Sequence, residues 1–269
     1  MLERVVYVGG AARSGTTALG RALAVSEGAV WAGELVWLPR DLQEDRRCSC
    51  GEVASRCPFW REVRARLGWS DSDLTARRAS IWRDRHRGFP EALRGGAAER
   101  GPLDAVAAVA GARCVIDTSK YAARALRLHR AHSRLDLLWV QRAPRGLAAS
   151  LLRERGSTRR FSVPGAVMYS AVVERSWRGV ASRLPVRSVQ IDALWERGPR
   201  GLFDLAAQLE LPLGDERRAG QWAAAAHALT AHEQVARAKE WQAPVDVAAG
   251  VRVASAAWAM SRVRGGRQR

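Results

Sequence analysis

The stretch Val5–Leu23, VVYVGGAARSGTTALGRAL, decides the fold. An apolar, β-branched run over Val5–Gly9 stops at a glycine-rich turn, and a helix-period segment follows from Thr16. Strand, glycine turn and helix in that order are the setting of a phosphate-binding loop. Gly10 and Gly15 have its G-x-x-x-x-G spacing, and Thr17 holds the place of its hydroxyl residue. The lysine that belongs between them is Thr16. In a nucleoside triphosphatase that lysine neutralises the β- and γ-phosphates. Here the cation within the loop is Arg13, whose planar guanidinium suits a tetrahedral oxyanion through paired hydrogen bonds. Ser14, Gly15, Thr16 and Thr17 complete an anion cradle of backbone N–H groups, hydroxyls and a helix N-terminus.

Outward from this loop, four more short apolar runs read as buried strands: Ala29–Trp31, Cys114–Ile116, Leu135–Val140 and Val186–Ile191. Helix-period segments lie between them at Thr16–Ser26, Ala122–Ala131, Gly146–Arg155, Ala166–Arg183 and Gly201–Leu209. The alternation predicts an α/β fold, a parallel central sheet with helices on both faces. Segment 40–113 breaks the rhythm. It is rich in Arg, Trp, Cys and Gly, carries helix-like pieces at Phe59–Leu67 and Ser72–Arg83, and ends in Gly95, Gly96 and Gly101. It is expected to be a helical cap inserted over the binding edge of a single domain spanning 1–269. A further helix is expected at Gln221–Glu240, and 260–269 as a flexible basic tail.

Composition sets the class. With 269 residues, 47% of them hydrophobic, the chain can bury a full α/β core. No run of about 18 apolar residues appears, and a strand begins at Val5, so neither a membrane span nor a signal peptide is expected. The expected compartment is the cytoplasm, where Cys48, Cys50, Cys57 and Cys114 are read as free thiols. A net charge of +17 invites a nucleic-acid partner, but the cations are nearly all Arg, with lysine only at Lys120 and Lys239. No basic stripe with aromatic interleaving and no helix-turn-helix or zinc-finger spacing accompanies them. Nucleic acid is therefore an unlikely partner on this reading, and an anionic small ligand fits the charge.

Three other places carry chemistry. In LLWVQRAPRGLAASLLRERG a strand ends at Arg142, Pro144 opens a helix, and Ser150 falls about two turns into it. Ligands of open parallel sheets bind at that carboxyl edge. Glu34 follows the second strand, between Trp31 and Trp37; on its own it reads as an ion-pair partner of one of the many arginines. In VIDTSKYAARALRL, Thr118 or Ser119 is expected to cap a helix, with Lys120 at its N-terminus. An ammonium there can neutralise a departing oxygen. Asp117 also suits the Mg²⁺ ligand of a kinase or nucleotide hydrolase, which keeps that rival open.

The Arg-Ser-Gly-Thr-Thr loop, joined with Arg142-x-Pro144 and Ser150, resembles the sulfotransferases that use 3′-phosphoadenosine 5′-phosphosulfate (PAPS). The resemblance covers 5–60 and 114–152 well, 188–211 loosely, and fades beyond about residue 220. It implies a sulfotransferase fold related to the nucleotide kinases, with sulfuryl transfer from PAPS to a hydroxyl by in-line displacement and release of adenosine 3′,5′-bisphosphate. By the same resemblance Arg13, Ser14, Gly15, Thr16 and Thr17 hold the 5′-phosphosulfate, Arg142 and Ser150 the 3′-phosphate. Glu34, in a Gly-Glu pair, is the base, and Lys120, in a segment like the bacterial Asp-Ser-Ser-Lys, assists the leaving group. The acidic residue usual after the Arg is Ala143 here. No metal is required. The acceptor is a hydroxyl-bearing small molecule or carbohydrate, which no motif identifies.

CSCGEVASRCPFW places three cysteines in ten residues as C-x-C-x6-C. Similar stretches occur in bacterial relatives. Packed thiols, a disulfide and a metal site all remain open, the last without a visible fourth ligand. His129, His132, His227 and His232 read as surface or packed residues, and His86 as an alternative base.

Overall fold

The computed structural model describes residues 1–98, 100–152 and 162–211. The helix expected at 221–240, His227, His232, Lys239 and the basic tail lie outside the described residues.

Five strands, β1 (Arg4–Gly10), β2 (Ala29–Trp31), β3 (Cys114–Lys120), β4 (Leu135–Gln141) and β5 (Val186–Gln190), form one sheet in the order β2-β3-β1-β4-β5. Every pairing is parallel. Helix α1 (Thr16–Leu23) links β1 to β2. Five helices then fall between β2 and β3: α2 (Leu38–Gln43), α3 (Pro58–Leu67), α4 (Asp71–Ser80), α5 (Phe89–Arg94) and α6 (Gly101–Ala110). Helix α7 (Ala122–Ala131) joins β3 to β4, and α8 (Pro144–Leu152) with α9 (Val163–Ala181) joins β4 to β5. After β5 come α10 (Ile191–Glu196) and α11 (Gly198–Gln208).

The two faces of the sheet follow from side-chain alternation. Val5 and Tyr7 of β1, with Leu137 and Trp139 of β4, enter one apolar cluster with α3, α6, α7 and α9. Val6 and Val8, with Leu138 and Val140, enter the other with α1 and α11. Because both faces are covered, the strands read as continuous apolar runs rather than as alternating ones. Gly9 is needed for close approach: a Cβ there would stand 1.7 Å from the Trp177 ring.

Two expectations change. Strand β3 continues four residues past Ile116, so Lys120 ends a strand and does not begin a helix; Tyr121 is the N-cap of α7. The polar side chains thought to cap a helix are occupied sideways instead. Thr118 Oγ1 donates to Gly33 O at 3.0 Å, and Ser119 Oγ accepts from Val36 N–H at 3.0 Å. Helix α6 was also hidden, since its Gly101 looked like the end of a loop. Pro102 starts that helix, and its apolar run is buried against α3 and β3.

Candidate functional site

The loop after β1 turns on Gly10 and reaches α1 through Arg13 and Gly15, with φ of 68° and 97° respectively. Gly15 is the N-cap of α1. No side chain caps it, and the first turn holds no acidic residue. The first N–H groups of this helix therefore face outward over a positive dipole end. A Cβ on Gly15 would meet Ile191 at 2.9 Å, on top of the strained φ, so the cradle admits only glycine there. Ser14 is buried and donates to Ala11 O at 2.7 Å, which fixes the turn, and Thr16 is buried beside it. Thr17 is partly exposed at the start of the helix.

Arg142 follows β4 directly, and Pro144 opens α8. The structure joins these residues to the loop. Arg13 Nε donates to Ser150 Oγ at 3.2 Å, and Arg142 Nη1 donates to Arg13 O at 2.9 Å. Two guanidinium groups and a hydroxyl thus converge from three elements. A cavity of about 180 Å³ adjoins them, lined in part by Ser14, Trp139, Arg142, Leu147 and Ser170. Two further supports surround these residues. Tyr169 Oη accepts from Ala12 N–H at 2.7 Å, and the Asp192 carboxylate accepts from Ala143 N–H at 2.9 Å while lying 3.6 Å from Arg142 Nε. Sequence reasoning missed Tyr169, whereas Asp192, two residues past the end of β5, is the acidic residue of the stretch 188–211 that the resemblance covers loosely.

Glu34 and Lys120 form an ion pair, with side chains only 12% and 15% exposed. Both are set by β3. Thr118 N–H donates to Gly33 O at 2.9 Å, and the Ser119–Val36 bond grips the chain two residues beyond Glu34. Lys120 lies beside Gly9 after a register shift in the β1–β3 pairing, its φ is 74°, and its carbonyl accepts from Trp177 Nε1–H at 3.1 Å. A left-handed non-glycine residue costs on the order of 1 kcal/mol, and the surrounding contacts hold it there. The tryptophans part company: Trp31 is core, bonded to Thr118, whereas Trp37 meets Tyr121 edge-on with the Arg40 and Arg85 guanidinium groups over its ring.

Asp117 is fully buried. Its Oδ1 accepts from Ser119 N–H at 2.9 Å and from the Ser119 hydroxyl, and its Oδ2 accepts from Arg124 Nε at 2.8 Å. Both oxygens are therefore engaged within the protein.

His86 packs edge-on against Tyr121 and Tyr169, and neither ring nitrogen has a hydrogen-bond partner among the described residues. Burial, with the nearby Arg85 cation, lowers it to about 4 from 6.5. The folded chain then binds fewer protons than the unfolded one across that interval. Stability is full above pH 6.5 and is lost as pH falls towards 4. His86→Phe keeps the ring contacts and should flatten the acid limb of a plot of melting temperature against pH. An unchanged limb would assign it to other groups. His129 is exposed, and His132 is buried at the end of α7, as a surface and a packed residue.

With five parallel strands in the order β2-β3-β1-β4-β5, the chain superposes on sulfotransferase STF1 from Mycobacterium tuberculosis H37Rv with a TM-score of 0.50 at 16% identity, over 82% of this chain and 71% of that one. The chain has the sulfotransferase fold. It is also similar to the sulfotransferase domain from the curacin biosynthetic pathway, at 18% identity and a TM-score of 0.49, over 80% of this chain and 76% of that one. No protein-family model and no curated protein sequence matches the chain. No described helix is long and apolar enough to cross a membrane.

Proposed function

We propose that the chain is a PAPS-dependent sulfotransferase acting on a hydroxyl of a small-molecule or carbohydrate acceptor. The observation that carries this reading is the place of Lys120: β3 ends with this lysine in register with Gly9, at the start of a glycine loop that lacks its own lysine. The donor set fits the cofactor. An uncapped helix start offers N–H groups to the 5′-phosphosulfate, and the Arg13–Arg142–Ser150 cluster offers charged donors to the 3′-phosphate. PAPS supplies the sulfuryl group and a stable leaving group.

The chain's own residues would do the rest. Glu34 takes the proton of the acceptor hydroxyl at its carboxylate. Lys120 has three N–H donors, so it can keep one on Glu34 and turn others towards charge developing on the loop side. The 40–113 segment serves as the cap that chooses the acceptor. The engaged oxygens of Asp117 support this reading over a Mg²⁺-dependent hydrolase, where that carboxylate would face the metal.

Calorimetry with adenosine 3′,5′-bisphosphate, and separately with ATP and Mg²⁺, tests the proposal. The bisphosphate should bind without metal, and Arg142→Ala should weaken it roughly tenfold to a hundredfold, the worth of one or two charge-assisted hydrogen bonds. Tight binding of ATP alone, dependent on Mg²⁺ and indifferent to Arg142→Ala, would overturn it. Salt-sensitive DNA binding with neither nucleotide would point to a basic binding protein.

A further inference from the structure

Away from the sheet edge, the loop between α2 and α3 brings three sulfurs together. The Sγ atoms of Cys48, Cys50 and Cys57 all lie within 4.8 Å of one another, and Cys50 and Cys57 are 3.7 Å apart. Sulfurs on a tetrahedral ion with bonds of about 2.3 Å are about 3.8 Å apart, whereas a disulfide needs about 2 Å. The spacing C-x-C-x6-C did not predict this, because the closure comes from the backbone. Cys48 N–H donates to Glu52 O at 2.7 Å, Gly51 N–H to Cys48 O at 3.0 Å, and Arg47 pairs with Val53 as a short antiparallel bridge. Gly51, at a φ of 97°, makes the reversal. Cys57 is tied back by its N–H to Val53 O at 2.8 Å and stands at the N-cap of α3, ahead of Pro58.

Cys57 stands at the start of α3, and a helix N-terminus stabilises thiolate. Arg46, Arg47, Arg56 and Arg61 flank the three residues in sequence. Three thiolates on a divalent ion leave one net negative charge, which that setting accommodates.

We propose that Cys48, Cys50 and Cys57 form a tris-thiolate site for one Zn²⁺ ion, with the fourth position open to solvent beside the exposed Cys50. No further His, Cys, Asp or Glu among the described residues joins the group, so the fourth ligand is water or an exchangeable small molecule. Each thiol releases its proton to solvent as its sulfur bonds the ion. The ion fastens the α2–α3 loop to the first turn of α3, where Cys48 and Cys57 already enter the core. The proposal is independent of the sulfotransferase reading.

The test uses the full chain without a histidine tag, purified under a phosphine reductant, loaded with Zn²⁺ and dialysed. Elemental analysis should find roughly one Zn²⁺ per chain, and Co²⁺ should replace it with an intense near-ultraviolet thiolate-to-metal band. Cys50→Ser, at an exposed position, should lower retained Zn²⁺ to below roughly 0.1 per chain while Cys114→Ser retains it. Should Cys50→Ser fail to fold, thiol titration of the native wild type reads the same question. A chelator should expose three protected thiols. Retained Zn²⁺ below about 0.1 per loaded wild-type chain, or a Co²⁺ spectrum without the thiolate band, would overturn the site.

Discussion

Glu34→Gln should lower kcat by roughly 100- to 10,000-fold, the usual worth of a positioned general base. Binding of adenosine 3′,5′-bisphosphate should be nearly unchanged, because the Arg13, Arg142 and Ser150 contacts lie on other elements. The amide keeps the size of the side chain and an oxygen for Lys120, so the change isolates the proton acceptor. Steady-state turnover with any acceptor found active, combined with calorimetry of the bisphosphate, separates the two effects. Retained turnover would remove Glu34 from the mechanism and return attention to His86. That histidine is a poor replacement, since burial holds it at about 4 and no described residue engages either nitrogen.

Arg124→Leu should cost about 3–5 kcal/mol of folding stability, the usual result of removing one partner from a buried ion pair. Arg124 is buried in α7, with Nε 2.8 Å from Asp117 and Nη1 3.0 Å from Asp84. Among the described residues, the substitution leaves the fully buried Asp117 carboxylate with only Ser119 as a hydrogen-bond donor. The neighbouring Arg127–Glu91 pair at 3.0 Å continues the same network from α7 to α5. Urea unfolding of the wild type and the variant reads the difference. By contrast, exposed pairs such as Arg134–Glu210 are worth at most about 1 kcal/mol. A loss of that smaller size at Arg124 would show that water reaches Asp117 once the guanidinium is gone.

Sequence alone located the five described strands, the glycine turn after β1 and the edge at which Arg13, Arg142 and Ser150 meet. Short apolar runs bounded by glycine are read reliably when both sheet faces are buried, and Val5–Gly9 is the clearest case. What escaped was decided across the chain rather than along it. Arg124 and Arg127 look like surface residues in an arginine-rich sequence, and only the approach of Asp84 and Asp117 makes them interior. Thr118 and Ser119 have the chemistry of helix caps, yet the chain at Gly33 and Val36 claims their hydroxyls and prolongs β3. Tyr169 reaches the loop from a residue 157 positions away, with no local pattern to mark it. The meeting of Cys50 with Cys57 depends on a turn at Gly51 that spacing rules for metal ligands do not describe.

The register shift between Tyr7 and Gly9 divides the edge into two blocks. On one side, β3 carries Lys120 and, through Gly33 and Val36, Glu34; on the other, β1 and β4 carry Arg13 and Arg142. Distances within each block are set by its own hydrogen bonds. The separation between blocks is set at one joint, where Lys120 adjoins Gly9 and the Trp177 ring wedges behind both. Trp177 therefore acts as a spacer. A smaller aromatic there would alter the gap between Glu34 and the loop after β1 while leaving the geometry inside each block intact.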